Sequence, residues 1–296
     1  MLPCAALQRL HPLLDWADVV SAMTFENIGH QPNAFTAAAL RFRVSDGIAA
    51  TGARLSRLLE NSEILARARM QTQDAMSLRA VPQVHGAVRD CVATIIDVVN
   101  RELASVTDNP IISGTLENPI AYSQAHAIGA LAMTMDTLAI AVAKIAATSE
   151  RRIDRLVNPL VSGLPAFLAH EAGVSTGFMI AQYTALSLTS ENRRLAAPSS
   201  LDGGVSSGLQ EDEIPHSTAA ALKVLDVTAN FENILAIELL AAAQAYEFQD
   251  PALRRAAGTD AVYRALRSRV PAYADDRPFA ADIATAVEFM RHTTAP

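Results

Sequence analysis

The sequence predicts an all-α protein, a long helix bundle whose core is completed by oligomerisation. Three observations carry this. Half of the 296 residues are hydrophobic but only 5% are aromatic, so the apolar content is mainly Ala, Leu, Val and Ile, a helix-favouring mixture led by Ala and Leu. Gly (13) and Pro (14) are too sparse to punctuate many short strands. The apolar faces are also wider than one stripe: between Ile120 and Thr148 the first acidic residue is Asp136 and the first basic one Lys144. A helix apolar nearly all round belongs at the centre of a large bundle or at a subunit interface.

Five helical stretches follow in order. The first spans residues 37–70, with breaks expected near Asp46-Gly47 and Asn61; Ile48, Leu55, Leu58 and Leu59 supply its periodic apolar face. The second begins near Pro82, a good first-turn residue, carries Val84, Val88, Val92, Ile95, Ile96 and Val99, and stops at Asp108-Asn109-Pro110. The third covers 124–156, the fourth 177–196 and the fifth 216–248, each ending just before a proline or an Asx-Pro pair. Residues 37–250 therefore form the central bundle. Residues 251–296, richer in Arg and Asp, form a helical tail outside it, and residues 1–36 carry no assignment. Three polar, breaker-rich connections separate the helices, at 71–86, 110–124 and 198–216, and such loops are where functional side chains gather on a rigid scaffold.

Composition excludes several classes. The net charge is −7 and no Lys/Arg block occurs, which argues against a nucleic-acid partner. Cys4 and Cys91 form no metal or disulfide pattern and are expected as free thiols. The N-terminus lacks a basic region ahead of its apolar stretch, a poor signal peptide. The most apolar run, 234–245, is interrupted by Glu238 and Gln244 and is too short for a bilayer. A soluble, cytoplasmic protein with no membrane partner is expected. No metal site is expected either, since His85, His126, His170 and His216 are scattered without ligand spacing.

Four constellations carry possible chemistry. Gln73, Asp74 and Arg79, followed by Gln83 and His85, place amides, a guanidinium and an imidazole in one short stretch, and Arg79 has the fork to grip a carboxylate. Spacing alone favours a connecting loop whose polar groups satisfy one another. Gln210-Glu211-Asp212-Glu213 sets three carboxylates in a row; burial would raise a pKa and suit acid/base work, whereas a solvated acidic helix start is the simpler reading. The charged run 149–155 ends an apolar helix, where its cations complement the dipole. Tyr122 to His126 is weak alone.

The segments QDAMSLRAVPQVHG (73–86), SVTDNP (105–110), SERRIDRL (149–156), SGLPAFL (162–168), GFMIAQ (177–182), SEN (190–192), QED (210–212) and IELLAAAQA (237–245) occur in this order. Together they resemble the aromatic amino-acid ammonia-lyases, most closely the histidine ammonia-lyase branch, from about residue 37 to 248. The resemblance implies an all-α homotetramer with a long central bundle and a small-molecule amino-acid substrate. It implies non-oxidative loss of ammonia from an aromatic amino acid, histidine-like by the Glu at 211. The family's electrophile is a methylidene-imidazolone cyclised from its own Ala-Ser-Gly. By motif, Arg79 would hold the substrate carboxylate, Gln73, His126 and Gln210 would join in substrate binding, and Glu211 would be catalytic near the amino group or ring.

The departures are specific. No Ala-Ser-Gly occurs; the Ser-Gly pairs at 113–114, 162–163 and 207–208 follow Ile112, Val161 and Ser206. The matched region lies beyond the family's electrophile, so no cofactor is expected in this chain and a partner chain is expected to supply it. The family's catalytic tyrosine is Met76 here, and a thioether cannot transfer a proton. His126 falls on either of two family positions. The open readings are a split lyase, a homo-oligomer or hetero-oligomer with an N-terminal lyase chain; an inactive or repurposed homologue acting as a helical partner; and an enzyme of different chemistry in the same pocket.

Overall fold

The structure is a computed structural model that describes residues 1–66, 72–123 and 128–296. It opens with a long helix, α1 (Leu2–Ile28), over the stretch that sequence alone leaves unassigned. Every residue from Trp16 to Ile28 is buried, so no polar face marks a helical period there. A 3-10 turn at Pro32–Phe35 leads to α2 (Ala37–Leu40) and α3 (Asp46–Leu58). The first expected helix is thus broken earlier than Asp46-Gly47. Ser45 starts α3 by accepting from the Ile48 amide at 3.0 Å and donating to Asp90 at 2.5 Å. Past α3, Asn61 takes a positive φ of 60°, near the second break.

A short helix, α4 (Met76–Arg79), precedes α5 (Val81–Leu103), which has Pro82 in its first turn as expected. Gly47 and Gly86 mark the crossing of α3 and α5: a Cβ on either would strike the backbone of the other helix. A feature outside the all-helical expectation follows, the antiparallel hairpin of β1 (Ile111–Gly114) and β2 (Pro119–Tyr122), with Ile111 opposite Tyr122. Then come α6 (Leu131–Val157), α7 (Pro159–Ser162), α8 (Met179–Leu195), α9 (Ser217–Ala245), α10 (Ala257–Arg267) and α11 (Phe279–His292).

The centre is α9, packed by α1, α6, α8 and α11. Residues 234–246 are buried without interruption. Small side chains such as Ala241, Ala242 and Ala243 let neighbouring axes approach on several sides at once. By length and composition, α6 is apolar enough to cross a bilayer, the one such helix among the described residues, yet it lies along α9, α5 and α8. Part of its apolar surface stays uncovered, with Met133 60% and Ile140 50% exposed.

Buried charge ties the bundle together. Glu238 on α9 accepts from Thr24 Oγ1 on α1 (2.8 Å) and from Ser149 Oγ (2.5 Å), Arg152 Nε (2.6 Å) and Arg152 Nη2 (2.8 Å) on α6. The run at 149–155 therefore does more than complement a helix dipole: Arg152 is fully buried and pairs across the core. Glu232 is gripped by Arg9 of α1 and Arg291 of α11.

Candidate active site

The local fold delivers the first constellation onto an exposed ledge. Asp74 is 4% exposed, and its Oδ2 accepts from the His30 and Gln31 amides at 3.1 and 2.9 Å. Gln31 Nε2 in turn donates to the Thr72 carbonyl at 2.6 Å. The approach to α4 is thus bolted to the exit of α1, and buried Leu78 anchors the helix from below. The side chains of Gln73, Met76 and Arg79 are left at the surface.

There the guanidinium is already oriented. Arg79 Nη1 donates to Gln73 Oε1 at 2.5 Å, and Nε and Nη2 approach Met76 Sδ at 3.3 and 3.2 Å. A guanidinium has five N–H donors. Among the described residues three are engaged, which leaves one on each Nη for a carboxylate to accept. The Met76 sulfur serves only as a weak acceptor for Arg79, since a thioether has no proton to donate.

The second constellation lies on a separate loop between α8 and α9. Ser206 closes a small ring with Glu211: its amide donates to the Glu211 carbonyl at 2.8 Å and its hydroxyl to Glu211 Oε2 at 2.7 Å. Gly208 provides one of the positive φ angles, 64°, in the 3-10 turn Ser207–Leu209. The sequence raised burial as a way to lift a carboxylate pKa here, and the structure corrects that. Glu211 is exposed, and hydrogen bonds from the Ser206 and Ser207 hydroxyls hold its carboxyl below the usual range. It is an ionised acceptor at neutral pH. Gln210 is exposed on the same loop. Among the described residues no hydrogen bond or ion pair joins Glu211 to Arg79, and His126 lies outside the described residues.

His85 turns away from Arg79 altogether. It is buried, and its Nδ1–H donates to Asp18 Oδ1 at 2.7 Å, while Arg89 Nη2 donates to Asp18 Oδ2 at 2.6 Å. Burial, outweighing Asp18, pushes His85 below the usual histidine pKa. The folded chain therefore refuses a proton that the unfolded chain takes up below about pH 6.5. This histidine favours folding above that pH and opposes it progressively below, by up to about 1.4 kcal/mol per pH unit. The wild-type Tm should thus fall more steeply between pH 6.5 and 5 than that of His85→Asn; parallel slopes would show that His85 titrates alike in both states.

The sequence named Asp74 without its role, anchoring the backbone beside Gln73 to the exit of α1, and missed Ser206, which fixes Glu211. Their only signal was adjacency, since neither sits in a pattern that demands a ligand.

The chain matches the profile of the aromatic amino acid lyases over residues 2–268. The chain belongs to the aromatic amino acid lyase family. A histidine ammonia-lyase of Natranaerobius thermophilus is 43% identical over 284 residues, covering 95% of this chain and 56% of that relative. The crystal structure of histidine ammonia-lyase from Trypanosoma cruzi superposes with a TM-score of 0.87 at 34% identity, over 98% of this chain and 55% of that one. A tyrosine aminomutase from Streptomyces globisporus gives 0.89 at 30% identity, over 98% and 59%. This lyase-family chain thus spans about half the length of the relatives it matches, and the match includes α1. The implied electrophile finds no fit among its residues. The Ser-Gly pairs lie in β1, at the end of α7 and in the 3-10 turn before Gln210, and none follows an alanine.

Proposed function

We propose that this chain is the carboxylate-holding portion of a histidine-type ammonia-lyase, which eliminates ammonia from an aromatic amino acid once a separate polypeptide supplies the electrophile. The observation that carries the reading is Arg79, steadied by Gln73 and Met76 with one free donor on each Nη. Arg79 binds and orients the substrate carboxylate. Glu211, ionised and fixed by Ser206, faces the substrate's amino group or ring as acceptor. The electrophile, when present, activates the amino group as a leaving group; this chain's residues hold the substrate for that event.

Association supports the same reading. Met133 and Ile140 of α6 are joined by Ile180 (53%) and Tyr183 (62%) of α8 as exposed apolar residues on bundle helices. A tetramer, or a hetero-oligomer with the electrophile-bearing chain, would cover them.

The test is an ultraviolet assay for urocanate with the purified chain, alone and co-expressed with a lyase-like polypeptide that contains Ala-Ser-Gly. Activity is expected only in the assembled pair. Arg79→Ala should then lower kcat/KM about 100-fold, the loss of a charge-assisted pair worth roughly 3 kcal/mol. No urocanate from any combination would sink the proposal.

Met76 supports a second reading, a repurposed homologue that binds an amino acid without eliminating ammonia, because the thioether engages Arg79 and cannot move a proton. Met76→Tyr separates the two. If the site lacks only its general acid/base, activity of the assembled pair should rise at least tenfold, toward the roughly 100-fold that a positioned group contributes. A pair inactive with either residue would favour the repurposed homologue.

A further inference from the structure

We propose that Asp136 and Lys223 form a clasp that positions the Glu211 loop, acting on Glu211 from two helices that carry no site residue of their own. Asp136 lies on α6 and is 3% exposed. Its Oδ1 accepts from the Ser199 amide (3.1 Å) and Lys223 Nζ (2.8 Å), and its Oδ2 accepts from the Ser200 amide (2.8 Å). Lys223, early in α9, also donates to the Ala197 carbonyl. One carboxylate and one ammonium thus fix three backbone groups around Pro198, just where the chain leaves α8. These hydrogen bonds, led by that of Lys223, keep the Asp136 carboxyl ionised against the cost of its burial.

The link to Glu211 runs along the backbone. The Asp202 amide donates to the Ser199 carbonyl at 3.1 Å, extending the clasped root by one turn. Beyond it the chain passes Gly203 and Gly204 and enters the Ser206–Glu211 ring. That ring is exposed and held by few bonds of its own, so both its closure and its place depend on its two roots, the clasped one and the short run 212–216 into α9. If the clasp served only to finish α8, its loss would loosen residues 197–202 and leave the ring intact. As a positioning device, its loss must reach the Ser206 amide and the Glu211 carboxylate. The importance of this for substrate rests on the role of Glu211 proposed above; the clasp itself does not.

Hydrogen–deuterium exchange on the full chain tests it, using Asp136→Ala, Lys223→Met and the conservative Lys223→Arg. Peptides covering 204–211 should exchange at least tenfold faster in the first two variants and near the wild-type rate in Lys223→Arg, while peptides from 234–245 stay unchanged. Acceleration confined to 197–202 would overturn the proposal. So would equal acceleration throughout α9, which would mark general destabilisation. In an active pair, Asp136→Ala should change kcat more than KM if Glu211 acts after binding. A pair with no activity in any form would count against the lyase reading, and the exchange data would still decide the clasp.

Discussion

Glu238→Ala should lower the Tm by about 6–20 °C. The reason is the partner it abandons. Arg152 is fully buried, and its Nε and Nη2 donate to the two oxygens of Glu238 at 2.6 and 2.8 Å. Removing one member of such a pair leaves an uncompensated charge in the core, at a cost of about 3–5 kcal/mol. Each kcal/mol shifts the Tm of a domain approaching this size by about 2–4 °C. Ser149 and Thr24 lose their acceptor at the same time. Arg152→Met combined with Glu238→Leu should recover much of the loss, because the pair's attraction and its desolvation cost largely offset one another. A single variant melting within 2 °C or so of wild type would show that Arg152 finds another partner.

Glu26→Ala is the second large effect, and its cause differs. Glu26 is fully buried, and among the described residues no ion pair reaches it. Its carboxylate accepts from the Tyr246 hydroxyl, Thr259 Oγ1 (2.5 Å), Ser62 Oγ (2.6 Å) and the Ala256 amide (2.6 Å). Ala256 is the N-cap of α10, so a side chain of α1 caps a helix more than two hundred residues away in sequence. Burial and the neighbouring carboxylate push the Tyr246 phenol well above its usual pKa, so it stays a donor. Deleting the acceptor strands these donors, each at about 1–3 kcal/mol when buried, and the whole loss should reach about 3 kcal/mol or more. Glu26→Gln keeps one acceptor oxygen and should cost less. Chemical denaturation reads both variants, and exchange in 257–267 should rise first. Equal stability of Glu26→Ala and wild type would refute this account.

The sequence made the bundle legible because the helices from 81 onward carry enough polar positions to show a period and enough breakers to show their ends. It failed at α1 for the opposite reason. Asp18, Thr24, Glu26 and Asn27 sit inside the core on private partners, so polarity there does not report exposure. The hairpin at 111–122 was missed because its strands are short and largely exposed, with no buried face to impose alternation. Of the candidate site, the closeness of Gln73, Met76 and Arg79 was readable from their place in one short segment, but the sequence expected a loop where the structure forms α4. The turning of His85 toward Asp18 was not, since the partner lies 67 residues earlier. Nor was the ionised state of Glu211, set by a serine five residues upstream rather than by its acidic neighbours.

The grip of Arg9 on Glu232 spans 223 residues of chain. During synthesis at about 5–20 residues per second, α1 waits roughly 10–45 s for the helix that covers it. Arg291 completes the grip only after a further 59 residues. Over that interval α1 can meet α3, α5 and α6, but the strip that α9 covers stays open. The nascent chain therefore carries an open apolar strip, the kind of surface that aggregates, until α9 emerges.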